Sequence, residues 1–139
     1  MRFNGSSGGY VLAGMGTSHS TIQSKIDQIS ASGSTPVTET FYESYLYLTG
    51  QDLAYASGVN ARDKSIDNDY YYDSPFKPKR ENGVDVLRCD NSINMIIMTD
   101  GDPTNDEGAD NAIKYLYKSK YGSNPTEKSG SYLNSLAKY

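Results

Sequence analysis

A chain of 139 residues is long enough for one domain with a core and too short for two. Its 36% hydrophobic content counts 13 Tyr, and exchanging these for the 13 Gly leaves roughly the same share, below the about 45–50% usual for globular chains, which points to part of a larger structure or to long polar loops. Thirteen Lys and Arg against seventeen Asp and Glu give a net charge of −4, which argues against nucleic acid as a partner, and no run approaches the ~20 apolar residues of a membrane span.

No apolar leader follows Met1, since Arg2-Phe3-Asn4-Gly5 come next. Residues 1–16 read as two short extended pieces around the turn-forming Gly5-Ser6-Ser7-Gly8-Gly9, with Tyr10-Val11-Leu12 resuming an extended run. These glycines lack the G-x-G-x-x-G spacing and the Lys-Ser/Thr ending of phosphate loops. Residues 20–30 predict an amphipathic helix, capped by Ser18 or Ser20, with Ile22, Ile26 and Ile29 on one face. After Ala31-Ser32-Gly33 a second helix is predicted, with Thr35 at its cap and Pro36 at its first position. Val37, Phe41, Tyr45 and Leu48 form its stripe, and Gly50 closes it.

From about 51 to 90 neither helical nor alternating period survives. A loop of that length is either functional or an insertion. Asp67, Asp69 and Asp73 lie among three tyrosines there and read as a solvated acidic loop, with cation contact as the alternative. The single Cys89 gives neither a disulfide framework nor a zinc site; it is a small buried thiol or pairs outside this chain. Ile93–Thr99 is a continuous apolar run bounded by Asn91-Ser92 and Asp100-Gly101, the pattern of a strand buried on both faces. A third helix is predicted from about Asp106, burying Ala109, Ile113 and Leu116, and Leu133, Leu136 and Ala137 open a fourth. Helices alternating with extended segments predict an α/β layered fold.

Asp100-Gly101-Asp102 stands at the end of the predicted strand, where ligands gather in open parallel sheets. A calcium loop of the EF-hand kind fails, because Thr104, Asn105 and Asn111 occupy positions that need other residues. Asp100-x-Asp102-x-Thr104 resembles the opening motif of haloacid-dehalogenase-type phosphatases, in which the first Asp is the nucleophile and the second the acid/base. Asp106, Glu107, Asp110 and Glu127 follow it without the paired aspartates of that family's magnesium site.

"GSTPVTETFYESYLYLTG" together with "INMIIMTDGDPTNDEGAD" resembles a von Willebrand factor A-type domain. With "MRFN…GGYVL", Ser74-Pro75, Cys89 and "SYLNSLAKY" in that order, the chain resembles the PilC/PilY family of type IV pilus tip-associated adhesins and biogenesis factors almost end to end. The resemblance implies a partial three-layer, Rossmann-type α/β domain over residues 1–139, carrying an irregular insertion at about 51–90. The D-x-S-x-S motif that supplies ligands from the family's first central strand is absent, as are the last strands, so the chain is expected to be an internal piece of the domain.

By the resemblance, Thr35 and Asp100 belong to a metal-ion-dependent adhesion site for Mg²⁺, Mn²⁺ or Ca²⁺, with Ser34 and Asp102 behind them. A hydroxyl and a carboxylate suit such hard ions, although two donors hold them weakly. The same residues also read as a plain helix cap and a turn former. The resemblance further implies adhesion and pilus assembly rather than catalysis. Its expected partners are a surface receptor and pilus components, and its expected location is extracellular or at the cell surface. A structural interaction domain with no working metal site is the remaining alternative.

Overall fold

A computed structural model of the chain describes residues 1–76, 79–81, 84–86, 93–99, 101–127 and 132–138. Arg2–Phe3 (β1) and Gly9–Tyr10 (β2) pair antiparallel, with Arg2 opposite Tyr10 and Phe3 opposite Gly9, as the glycine-rich turn between them predicts. Helix α1 spans His19–Asp27, and its cap is Ser18, whose hydroxyl accepts the Thr21 N–H at 3.3 Å. No residue of α1 is buried, and Ile26 remains 55% exposed. Of the expected isoleucine stripe, Ile22 is half-buried, Ile26 is open, and Ile29 lies beyond the end of the helix.

Helix α2, Val37–Thr49, is the centre of the molecule and packs against β2, β1 and α4 (Leu133–Lys138). It ends as predicted at Gly50, in the left-handed region at φ +70°, where the glycine N–H reaches the Leu46 and Tyr47 carbonyls. Its buried residues include Thr38, Glu39, Thr40, Glu43 and Ser44, whereas Phe41, Tyr45 and Leu48 of the predicted stripe are only half-buried. An amphipathic reading underestimates a helix that is covered on its polar side as well.

Two apolar clusters flank α2. Tyr10, Val11, Leu46, Tyr47, Ala56 and Tyr72 make one; Ala109, Ile113, Tyr132 and Leu136 make the other. Tyr42 and Tyr45 pack against both. Helix α3 runs over Asp110–Tyr121 and closes at Gly122, so it begins after the expected Asp106. That aspartate is engaged elsewhere, as described below. Lys79–Glu81 (β3) and Val84–Val86 (β4) form a second antiparallel hairpin.

The expected buried strand at 93–99 is corrected by the structure. Residues 93–99 lie in no strand, and Ile96 and Met98 are each 88% exposed. No backbone group of residues 93–98 hydrogen-bonds to another described residue. A strand exists only by pairing, and apolar content cannot replace a neighbour. Both pairings among the described strands are antiparallel, so no parallel sheet is present among the described residues. Cys89 lies outside the described residues.

Candidate functional site

The segment ahead of α2 is shaped first by Gly33, at φ +96°, where a Cβ would stand 2.2 Å from the Gly5 carbonyl oxygen. Ser34 then donates its N–H to that same oxygen at 2.7 Å. This places Ser34 and Thr35 against a stretch 69 residues further along the chain. Thr35 donates its N–H to Thr104 Oγ1 at 3.0 Å, and Thr104 returns its own N–H to the Thr35 carbonyl at 3.2 Å. Asn105, itself at φ +54°, donates from Nδ2 to Ser34 Oγ at 2.9 Å.

The cap expected from Thr35 comes from this distant stretch instead. Pro36 holds the cap position with no side-chain hydrogen bond, and Asp106 Oδ1 accepts the N–H groups of Thr38 at 2.7 Å and Glu39 at 3.3 Å. A carboxylate there also meets the positive end of the helix dipole. Thr35 sits one residue too early for the role and spends its N–H on Thr104.

Beneath the loop pair, Glu39 joins three elements. Its carboxylate accepts the Gly8 N–H from the β1–β2 turn, and Oε1 accepts the Gly108 N–H at 2.8 Å. The approach is close enough that a Cβ at Gly108 would meet Oε1 at 2.2 Å. Burial above all pushes the Glu39 carboxyl above its ordinary range; the two N–H groups oppose this, and the charges of Asp106 and Asp110 add to it.

One turn on, the fully buried Glu43 organises the expected irregular loop. It accepts N–H groups from Ala54 and Ala56 at 3.3 Å and from Tyr55 at 2.8 Å, and the Tyr72 hydroxyl at 2.7 Å. Burial leads in raising its carboxyl too, against these donors. The acidic loop is solvated as expected at Asp69 and Asp73, but not at Asp67. Arg62 Nε holds Asp67 at 3.0 Å, both side chains being buried, and its Nη2 reaches Asp69.

Of the predicted site residues, the structure unites Ser34 and Thr35 with Thr104 and Asn105. Asp102 is exposed and makes no hydrogen bond or ion pair with a described residue. Asp100 lies outside the described residues. The Thr35 hydroxyl is free of hydrogen bonds to described residues, while Ser34 Oγ is occupied by Asn105. Among the described residues, no group of three or more His, Cys, Asp or Glu is placed to hold a metal ion. A hard divalent ion takes six or more oxygen donors, so the described residues do not fit one by themselves.

Glu39 and Glu43 were readable in the sequence as an i, i+4 pair on one helix face. Asp106 as a remote cap leaves no local signal. Apart from the loop pair, a cleft of about 520 Å³ runs between β1, α2 and residues 93–98, lined by Phe3, Val11, Phe41, Tyr47, Ile93 and Ile96 among others. No helix among the described residues is long and apolar enough to cross a membrane.

Comparison with known protein families, with curated proteins and with solved structures gave no significant match.

Proposed function

We propose that this chain is a non-catalytic binding module of the von Willebrand factor A type, serving surface adhesion and type IV pilus assembly in the manner of PilC/PilY proteins. The observation that carries the proposal is the reciprocal pairing of Thr35 with Thr104, which joins the "GST" loop to the stretch following "TDGD". Those are the two loops from which such adhesion domains draw ligands, and chance offers no reason for them to meet.

In this reading the free Thr35 hydroxyl and Asp100 each give a donor to Mg²⁺, Mn²⁺ or Ca²⁺, with Ser34 and Asp102 behind them. The other donors come from residues outside this chain, as does the cover for the exposed apolar run at 93–98. The partners are a surface receptor and pilus components, encountered outside the cell.

Calorimetric titration with each of the three ions tests the site. The 139-residue chain is expected to bind at millimolar strength at best, the range of weak extracellular sites. Asp100→Ala, which removes a charge, should weaken binding more than Thr35→Ala, which removes a neutral donor. Tight binding that survives Asp100→Ala places the ion elsewhere and overturns the assignment. Turnover of p-nitrophenyl phosphate that disappears in Asp100→Asn would establish the phosphatase chemistry instead.

A further inference from the structure

We propose that the cleft between β1, α2 and residues 93–98 binds one free fatty acid, with its alkyl chain in the cleft and its carboxylate on Arg2. The proposal goes beyond the adhesion reading and does not depend on what Thr35 and Asp100 bind. One side of the cleft is lined by Phe3 of β1 and by Val37, Phe41 and Leu48 of α2. The other side is the apolar run, whose side chains alternate. Ile93, Met95 and Ile97 are 46, 38 and 42% exposed, against 88% for Ile96 and Met98. That period of two gives the run a sheltered side as well as its open one. At about 520 Å³ the cleft falls within the range of sites for small ligands, and its lining is predominantly apolar, as such sites require.

Charge selects the head group. The chain carries 17 Asp and Glu, yet none of the described residues lining the cleft is acidic, and Arg2 is the one among them with a charged side chain. Its Nη1 donates to the Tyr10 hydroxyl and its Nη2 to the Ser30 carbonyl, each at 3.1 Å. Both acceptors are neutral, and no described carboxylate pairs with the guanidinium. These bonds use two of its five N–H groups, which leaves donors for an anion. The planar fork matches the two oxygens of a carboxylate.

The bond to Ser30 is exposed, so the fork stands where a bound carboxylate keeps contact with water. A hydrocarbon tail extending from it past Phe3 and Phe41 leaves water, and each methylene buried adds to the affinity. One cation beside one apolar trough thus suits one carboxylate and one chain. A cationic amphiphile meets Arg2 as a like charge, and an alcohol leaves that charge unpaired.

Calorimetric titration of the 139-residue chain with decanoate, decanol and decyltrimethylammonium, each below its micelle concentration, tests the site. Decanoate should bind one per chain and at least about tenfold more tightly than either counterpart of the same tail length. Arg2→Gln should remove that preference. Ile97→Glu, which sets a carboxylate in the half-covered wall, should weaken decanoate at least about tenfold. Circular dichroism checks that each variant is folded, and if neither folds the three ligands compared on wild type decide alone. Absence of decanoate binding, equal binding of the three amphiphiles, or decanoate binding unchanged in a folded variant overturns the proposal. Retention on phosphatidylglycerol vesicles without binding of free decanoate makes this face a membrane contact and overturns it as well.

Discussion

Residues 51–76 and residues 93–99 invert the usual relation between polarity and order. The first stretch is polar and aperiodic, yet it is tied down along its length. Glu43 gathers three consecutive N–H groups and the Tyr72 hydroxyl, Arg62 grips Asp67 and Asp69, and the Asp73 N–H reaches the Ile66 carbonyl at 2.7 Å. The second stretch is the most continuous apolar run in the chain, yet it lies open with its backbone unpaired to any described residue. The difference lies in where N–H and C=O groups find partners. A buried carboxylate satisfies a loop's donors without a sheet, while an apolar strand has no means of satisfying its own.

The contrast breaks most directly at Glu43. Replacing it with Ala strips the Ala54, Tyr55 and Ala56 amides and the Tyr72 hydroxyl of their acceptor at once. A loss of about 4 kcal/mol in urea unfolding is expected, with new protease cleavage between residues 51 and 73. A loss under about 1 kcal/mol would show that the loop is held by its apolar contacts instead. Arg62→Met is the next largest, because it leaves the buried Asp67 carboxylate without its cation. The cost should be about 3 kcal/mol in urea unfolding at pH 7, and a loss under about 1 kcal/mol would show that the pair does not hold the loop.

Local signals in the sequence located the helices well. Ser18 caps α1, Gly50 closes α2, and the glycine-rich turn opens the first hairpin, each through chemistry carried by one or two neighbouring residues. What sequence reading missed is long-range. The Asp106 cap acts across 68 residues, and Glu43 acts on a loop that has no period to betray it. The pairing of Thr35 and Ser34 with Thr104 and Asn105 spans about 70 residues and is likewise invisible to local pattern. Periodicity reports which face of an element is apolar. It is silent about which distant polar atom completes that element.

The smallest expected effect sharpens the contrast from its other side. Ile96 is 88% exposed on a run whose unpaired backbone is a template for pairing with another chain. Ile96→Lys removes little buried area, so the folded chain should change by less than about 0.5 kcal/mol. The same substitution places a charge on the open edge, the device by which sheet proteins block edge-to-edge association. Sedimentation velocity should therefore show wild type associating with concentration and the variant remaining monomeric. The two readouts fail in different ways. A variant that still associates moves the sticky surface elsewhere, to the exposed Ile26 of α1. A variant destabilised by more than about 1 kcal/mol means that Ile96 is buried in solution, and the two stretches then no longer differ in the way proposed.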